Sequence, residues 1–226
     1  MRKFLIFFVA ILISAKTFSQ HEDFSERIRL HLWAEIDSFP ELKENQGPYK
    51  GDFSFAMNRL SKIGPYLLNG MVYGWSFSYT PSDKLRGVEE YFEVKEINTI
   101  NPSDGKISYK KPWIQDNFLH CWLDFVRTPQ MIQNLNAWTS INTKKIQGKG
   151  LGKLSRGFSG IQDASENALK DAIRSYYREI LKNKPKQIDG RVIIRSAPLL
   201  GIRAGQYVVD LDFFLETDRI VKYSQF

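Results

Sequence analysis

The stretch from residue 161 to residue 182, IQDASENALKDAIRSYYREILK, decides the predicted fold. On a helix, positions 161, 164, 165, 168, 169, 172, 173, 176, 177, 180 and 181 share one side, and ten of these eleven are apolar or tyrosine. All eleven other positions are polar. This spacing predicts a long amphipathic helix that buries one face, with a capping box from Ser159 and Gln162 at its start and Pro185 beyond its end.

Apolar and polar residues alternate in several segments outside this helix, and such alternation predicts half-buried strands. Two predicted strands, 190–196 and 205–217, follow the helix as a hairpin. The earlier predicted strands are 27–37, 71–79 and 118–127, with a looser β region at 94–110. Helical spacing predicts further helices at 54–68, 82–92 and 129–141.

The order of these segments mixes helices and strands without the regular βαβ alternation of a parallel sheet. It predicts an α+β fold with a mixed, mainly antiparallel sheet and packed amphipathic helices, ending in a long helix plus a β-hairpin. The chain divides into a signal peptide (1–19), an N-terminal α+β region (20–141), a Gly/Lys-rich loop (142–160) and a C-terminal helix-hairpin region (161–226). The two folded regions form either one domain or two.

The segment 1–19 has the layout of a secretory signal peptide. Arg2 and Lys3 precede an apolar run from Phe4 to Ser14, which is too short to span a membrane. Thr17 and Ser19 are small enough for a cleavage site, so we expect cleavage near Ser19. An uncleaved anchor is the alternative. We therefore predict export to the periplasm or the medium, with no transmembrane segment in the mature chain.

Charge and cysteine content limit the possible functions. Removing the segment 1–19 lowers the formal net charge from +7 to +4, because it holds three basic side chains and no acidic one. A charge of +4 on a chain of this length does not indicate a protein that binds nucleic acid. Cys121 is the only cysteine, so the fold has no internal disulfide and must rest on its hydrophobic core.

The segment NTKKIQGKGLGKLSRGFSG, residues 142–160, combines glycines with basic residues as phosphate-binding loops do. The pattern GxxxxGK[ST] fails because its first glycine falls on Gln147 and because Leu154 follows the Gly-Lys pair. The pattern GxGxxG fails because Lys153 stands in place of its last glycine. We therefore predict no nucleotide and no cofactor.

Two interpretations of this segment remain open. It is either a solvated loop that lets the flanking helices reorient, or a binding site for an anionic surface. In the second interpretation the binding residues are Lys144, Lys145, Lys149, Lys153 and Arg156.

Four aromatic side chains share one face of the predicted strand 71–79, namely Tyr73, Trp75, Phe77 and Tyr79. An exposed aromatic face could stack on sugar rings or hold a peptide. An apolar area of this size is more typical of a protein core, because monomeric proteins seldom leave so much apolar surface in water. We therefore predict that this face is core.

The three histidines, His21, His31 and His120, show no metal-ligand spacing and predict no metal site. On a strand, His120 and Asp124 lie about 13 Å apart, so their side chains cannot form a dyad. His120 and Cys121 are neighbours and point to opposite faces, which excludes a Cys–His nucleophile pair in this strand.

Two groups of acidic residues could serve a secreted hydrolase. Asp210 and Asp212 share a face of the last strand, about 7 Å apart. The simpler interpretation is that Arg191 and Arg195 on the partner strand neutralise them. The second group, on the predicted helix 82–92, consists of Glu89, Glu90 and Glu93.

Together these observations predict an exported protein of a bacterial envelope that binds or scaffolds a partner, either an envelope protein or an anionic surface. The alternative is a secreted hydrolase that uses Asp210 and Asp212 or the Glu89–Glu93 group. Binding is preferred because the sequence offers no nucleophile–base pair, no metal cluster and no cofactor motif.

Overall fold

The computed structural model describes residues 26–36, 53–101, 106–139 and 143–223. Its helices are α1 (Ser54–Val72), α2 (Pro129–Trp138) and α3 (Phe158–Ile180). Its strands are β1 (Arg27–Glu35), β2 (Trp75–Thr80), β3 (Tyr91–Glu96), β4 (Ile107–Gln115), β5 (Phe118–Val126), β6 (Lys144–Lys153), β7 (Gln187–Ile194), β8 (Leu199–Arg203) and β9 (Gln206–Val221). The predicted signal peptide lies outside these ranges.

The strands form two antiparallel sheets. Sheet A has the order β1-β5-β4, and sheet B has the order β3-β2-β7-β9-β6, with β8 paired to the first part of β9. The predicted α+β class is confirmed, including the long helix followed by strands. Within the described ranges, no helix combines the length and apolarity needed to cross a membrane.

Helix α1 is the layer between the two sheets. It packs on β1 and β5 of sheet A and on β7 of sheet B. A Cβ atom added to Gly64 would lie 2.5 Å from Leu123 in sheet A, and one added to Gly70 would lie 2.6 Å from Ile194 in sheet B. Glycine at these two positions therefore lets α1 approach both sheets closely.

Helix α3 lies directly on β6, with almost no side chain between them. Three of the four inward residues of β6 are glycines, namely Gly148, Gly150 and Gly152. A Cβ atom added to Gly148 would lie 2.1 Å from the carbonyl oxygen of Ala168, and one added to Gly150 would lie 1.9 Å from that of Ala164. The small residues on both elements thus bring a helix backbone against a strand backbone.

The Gly/Lys-rich loop predicted at 142–160 is wrong. This segment forms β6, then a short 3₁₀ turn at Leu154–Arg156, and α3 has already begun at Phe158. The capping box predicted from Ser159 and Gln162 is also wrong, because α3 begins before them and has no side-chain cap. Glycine at every second residue suggested a flexible loop. In the structure these glycines lie on the inward face of β6, which packs too closely on α3 for any larger residue.

The hairpin predicted at the end of the chain is divided by an additional strand. The predicted faces are confirmed, because Val192 and Ile194 share the buried face with the inward residues of β9. In the register that forms, Val192 lies opposite Leu215. The additional strand β8 lies in the connection between β7 and β9 and pairs with the first part of β9.

The strand predicted at 71–79 begins only at Trp75, because α1 continues through Val72. Gly74, which has a φ of +79°, separates the two elements. A glycine in this left-handed region lets the chain change direction sharply between a helix and a strand.

The helix predicted at 82–92 is also wrong. Asp83 and Val88 bridge across a 3₁₀ turn, and β3 begins at Tyr91. Gly87 ends the turn with a φ of +66°, a conformation that cannot continue a helix.

Candidate functional site

The outer face of sheet B, turned away from the helices, carries ion pairs, most of them between neighbouring strands. We call it the charged face. Its pairs are Lys149 with Asp210, Arg195 with Asp212, Arg191 with Glu216, Arg219 with Asp189, and Lys95 with Glu93. Charges paired in this way are typical of a solvated sheet surface.

The five basic residues predicted to bind an anionic surface do not converge. Lys145, Lys149 and Lys153 point outward on the charged face, and Lys149 lies 3.1 Å from Asp210. Arg156 lies in the following 3₁₀ turn, where it pairs with Asp163 on α3. Lys144 stands at the exposed start of β6. Anion binding by these residues stays a prediction.

The edge of β6 is partly covered by side chains of α3. The carboxylate of Asp171 accepts a hydrogen bond from the backbone amide of Lys149 at 3.3 Å, and the amide of Asn167 donates to the carbonyl of Leu151 at 3.0 Å. Natural sheets protect edge strands with lysines and covering elements, because open backbone groups invite pairing with other chains. The lysines of β6 thus have a structural explanation.

Asp210 and Asp212 are both engaged. Asp210 pairs with Lys149, and Asp212 accepts hydrogen bonds from Arg195 at 3.2 Å and from Ser196 at 2.8 Å. The predicted neutralisation by Arg195 is confirmed. The predicted neutralisation by Arg191 is wrong, since the strand register places Arg191 against Glu216 and Asp218 on β9.

The cluster of glutamates predicted on a helix is dispersed. Glu93 lies on β3 and pairs with Lys95. Glu90 precedes β3 and pairs with Arg174 of α3. Burial opposes the ionisation of Glu90, but hydrogen bonds from Arg174 and Tyr79 outweigh it and hold the pKa of Glu90 below its usual range. Glu90 thus links the start of β3 to α3, Glu93 pairs within β3, and no shared helix face collects the two carboxylates.

The aromatic side chains of the predicted strand 71–79 were predicted to be core, and this is confirmed for the three that lie on β2. Trp75, Phe77 and Tyr79 on β2 are at least nine-tenths buried. They pack against α1, β3 and β9, with Trp75 stacked on Tyr66 and Phe77 on Phe92. Tyr73 is half-buried at the end of α1, before the strand begins.

A different set of aromatic side chains is accessible, on the outer face of sheet A. We call this set the aromatic face. It consists of His31 and Trp33 on β1, Trp113 on β4, and Phe118, His120 and Trp122 on β5. The strand register brings them together, because Trp33 and Trp113 both lie opposite His120, and His31 lies opposite Trp122. His31 is exposed and the other five are half-buried.

Two histidines form the centre of the aromatic face. His31 Nε2 lies 3.0 Å from His120 Nδ1, so one imidazole donates a hydrogen bond to the other. Their ring planes differ by 11°, and the Trp113 ring lies parallel to both, with centroids 5.1–5.2 Å away. Burial, and to a lesser degree the neighbouring His120, lower the pKa of His31. The hydrogen bond and the stacking on Trp113 thus hold the two imidazoles in fixed positions.

The remaining rings extend this centre in both directions. Trp33 meets Phe118 edge to face at 5.1 Å, and Phe118 meets His120 at 6.3 Å. Trp122 lies tilted against His31 at 5.4 Å. Such contacts hold the rings in fixed positions, so the aromatic face is a preorganised surface.

A buried carboxylate fixes two cations beside these rings. Asp124, which is 3% exposed, pairs with Arg29 at 2.8 Å and with Lys110 at 2.9 Å. The hydrogen bond from Arg29, and then that from Lys110, lower the pKa of Asp124 to about 2 against the opposing effect of burial. The Arg29 guanidinium also lies 5.8 Å from the centre of the Trp122 ring. The cations at this edge are therefore placed by sheet A itself.

A pocket of about 260 Å³ opens at one side of the aromatic face. One wall is formed by Arg29, His31, Trp33 and Trp122, and the opposite wall by Pro198 and Leu199. The second wall belongs to the connection between β7 and β8 and the start of β8, so the pocket lies where sheet A meets sheet B. Its lining is mainly apolar, with the arginine and the histidine at its polar side.

Next to this region lies a fully buried polar group. Arg59 of α1 donates hydrogen bonds to Glu35 at 2.9 Å and to Tyr207 at 3.0 Å, and Tyr207 in turn donates to Glu35. Burial and the Glu35 carboxylate raise the pKa of Tyr207 well above its usual range. All three are at most 7% exposed, so this group joins β1, α1 and β9 and is closed to ligands.

The sequence arguments about His120 agree with the structure. His120 and Cys121 point to opposite faces of β5, and burial raises the pKa of the Cys121 thiol to about 11. His120 bonds to His31, whereas Asp124 bonds to Arg29 and Lys110. The predicted separation of His120 from Asp124 is thus confirmed.

Sequence reasoning missed the aromatic face because its members are scattered over three strands. A signal was present, since Trp33, Phe118 and Trp122 occupy the polar positions of alternating strands. Large aromatic residues at positions expected to face water indicate a recognition surface. Their meeting on one surface depends on the strand pairing.

Comparison with known proteins gives a family but no activity. An uncharacterized protein of Treponema pallidum (strain Nichols) is 28% identical over 197 residues, which cover 87% of this chain and 82% of that protein. No solved structure matches the chain. A family model matches residues 15–223, most of the chain, so the protein belongs to that family, whose domain is of unknown function.

Proposed function

We propose that this protein is exported to a bacterial envelope and binds a partner protein through the aromatic face. One observation carries the proposal: six aromatic rings meet, accessible and mutually fixed, on one sheet surface. The other outer sheet surface pairs its charges instead. Contiguous aromatic surface that a monomer leaves accessible commonly marks an interaction site.

The composition of the aromatic face supports a protein as the partner. Tryptophan and arginine are enriched among the residues that dominate the binding energy of protein interfaces. Here Arg29, whose position is fixed by Asp124, lies beside Trp122, and the same face holds Trp33 and Trp113. Rings held in place before binding lose little conformational entropy on contact, which favours affinity.

The pocket beside the rings also supports a protein as the partner. Its volume of about 260 Å³ is below the range of about 300–1,000 Å³ that is typical of sites for small molecules. It suits an apolar side chain that anchors a partner protein, with Trp33 and Trp122 on one wall and Leu199 on the other. The aromatic face would then contact the surface around this anchor.

Export is the second part of the proposal, and it rests on the segment 1–19, which has the layout of a signal peptide. The absence of any cysteine besides Cys121 agrees with a fold that does not depend on a disulfide in either redox environment. The hydrolase alternative has less support, because Asp210 and Asp212 are each paired with a cation.

Site-directed photocrosslinking in the native host tests the proposal. A photoreactive phenylalanine analogue at position 113 lies within the aromatic face, and the same analogue at position 91 provides a matched control. Tyr91 is 55% exposed at the far edge of sheet B, on β3. We expect a discrete crosslinked protein from position 113 and none from position 91.

The crosslinked partner then has to bind in purified form. We expect replacement of Trp33 and Trp122 by serine to weaken this binding at least about tenfold, as loss of central aromatic residues does at interfaces. Tyr91→Ser should leave it unchanged. Equal crosslinking from both positions, or capture of glycan alone by position 113, would contradict the proposal.

A further inference from the structure

A second surface lies at the end of sheet B where β2 ends and β7 begins. Here the segment after β2, the segment before β7 and the residues after β9 come together. Lys184 donates a hydrogen bond to the carbonyl of Ser82 at 2.7 Å, and the backbone amide of Lys186 donates to Val221 at 2.8 Å. The Arg86 guanidinium lies 4.4 Å from the centre of the Tyr223 ring.

These contacts gather basic residues that are far apart in the sequence. We call the group the basic tip, and all of its members are exposed. They are Lys84, Arg86, Lys182, Lys184, Lys186 and Lys222. Arg86 pairs with Asp83, whereas no ion pair with a residue of the described ranges joins the five lysines. Glu89 and Glu90 are the exposed acids of the same segment, and Glu90 pairs with Arg174 of α3, so the basic tip keeps a net positive charge.

The basic tip also displays a leucine. Leu85 is 97% exposed, more than any other large apolar residue of the described chain. The turn that carries it is fixed: Asp83 accepts a hydrogen bond from the Leu85 amide at 3.1 Å, and Asp83 and Val88 exchange two backbone hydrogen bonds of 2.9 Å. The leucine is therefore held in water by an ordered turn, between Lys84 and Arg86.

We infer that the basic tip docks on an anionic phospholipid membrane, with the lysines at the headgroups and Leu85 inserted at the interface. Charge complementarity supports an anionic partner, because lysines near such a surface each strengthen binding. The exposed Leu85 favours a membrane over a soluble polyanion, since only the membrane offers an apolar layer beneath its charges. The aromatic face lies on sheet A, so this inference is independent of the proposed partner protein.

Vesicle sedimentation with the chain as processed by an exporting host tests the inference. We expect binding to vesicles that contain phosphatidylglycerol in phosphatidylcholine, and none to pure phosphatidylcholine. High salt should weaken the binding, because it screens exposed charges. Failure of the unmodified chain to bind the anionic vesicles would overturn the inference.

Two variants that each lose four lysines distinguish the effect of the basic tip from the effect of net charge. We expect K84S/K184S/K186S/K222S to lower the partition coefficient by more than about 100-fold, from roughly fivefold for each lysine. The matched control, K62S/K95S/K106S/K111S, removes the same charge from exposed lysines outside the basic tip and should lower it by less than about threefold, because screening limits the effect of distant charges. Equal losses in the two variants would overturn the inference. Circular dichroism of both variants checks that they are folded.

Insertion of Leu85 into the bilayer can be measured separately. Cys121 is 3% exposed, so a cysteine placed at position 85 can be labelled selectively with an environment-sensitive dye. We expect the emission of L85C to rise on anionic vesicles and that of the control L151C, on β6, to stay at its value in water. Unchanged emission at position 85 during sedimentation, or the same change with a soluble polyanion, would show that the ligand is not the bilayer.

Discussion

Gly150 and Gly201 both lie in strands of sheet B, but an added methyl group would have different effects at the two positions. At Gly150 it would lie 1.9 Å from the carbonyl oxygen of Ala164, whereas at Gly201 it would meet nothing within 4 Å. Residue identity at these positions therefore depends on what packs against the strand. The sequence alone does not distinguish the two glycines.

We expect Gly150→Ala to lower the free energy of unfolding by at least about 1–3 kcal/mol, because α3 must move away from β6. Gly201→Ala should leave it unchanged or raise it by up to about 1 kcal/mol through the unfolded chain. Urea denaturation measures both. Equal stability of the two variants would mean that α3 does not rest on the backbone of β6.

At the scale of elements, Asp124 on β5 holds the edges of sheet A together. It pairs with Arg29 on β1 and with Lys110 on β4, and so links all three strands on the aromatic face. Because these partners lower the pKa of Asp124 to about 2, its carboxylate is more stable in the folded chain than in the unfolded chain.

Asp124→Asn should therefore lower the free energy of unfolding by about 1–3 kcal/mol at neutral pH, the range for hydrogen bonds to charged groups. The contribution of Asp124 is present above its unfolded pKa of about 4 and is lost as the pH falls toward about 2. The difference between the two proteins should thus shrink over that interval in an acid titration followed by circular dichroism. A constant difference would contradict this role of the carboxylate.

Local pattern predicted those elements whose repeat can be read along the chain. In α3 and in β1 and β5 the apolar positions recur with a helical or a strand period, so their buried faces follow directly. The pattern failed at β6, where glycine takes the inward positions that apolar residues usually hold. Hydrophobic periodicity cannot detect a face that is buried by close backbone packing.

For the whole molecule, the arrangement places two different surfaces on separate parts of the fold. The aromatic face lies outside sheet A, and the basic tip lies at one end of sheet B. In an envelope, such an arrangement would let the chain rest on a membrane and hold a partner protein at the same time.

Intact-mass measurement of the protein from its native host tests export. We expect a chain that begins near Gln20 in the soluble envelope fraction, because the segment 1–19 has the layout of a cleaved leader. A full-length mass in the membrane fraction would show an uncleaved anchor instead. Such an anchor would then account for the association of the chain with the membrane without the basic tip.

The sequence by itself determined the α+β class, the buried faces of the long helix and of the alternating strands, and the core role of Trp75 and Phe77. Each of these follows from periodicity and burial along a single segment. The pattern of the segment 1–19, on which the proposal of export rests, is likewise local.

Only the tertiary structure decided which accessible side chains meet. His31 and His120, 89 positions apart, touch because β1 pairs with β5 in one register. Ser82 and Lys184, 102 positions apart, touch because β2 pairs with β7. A surface assembled from distant segments has no period within any of them, since it is produced by strand pairing and by the close packing of helices on sheets.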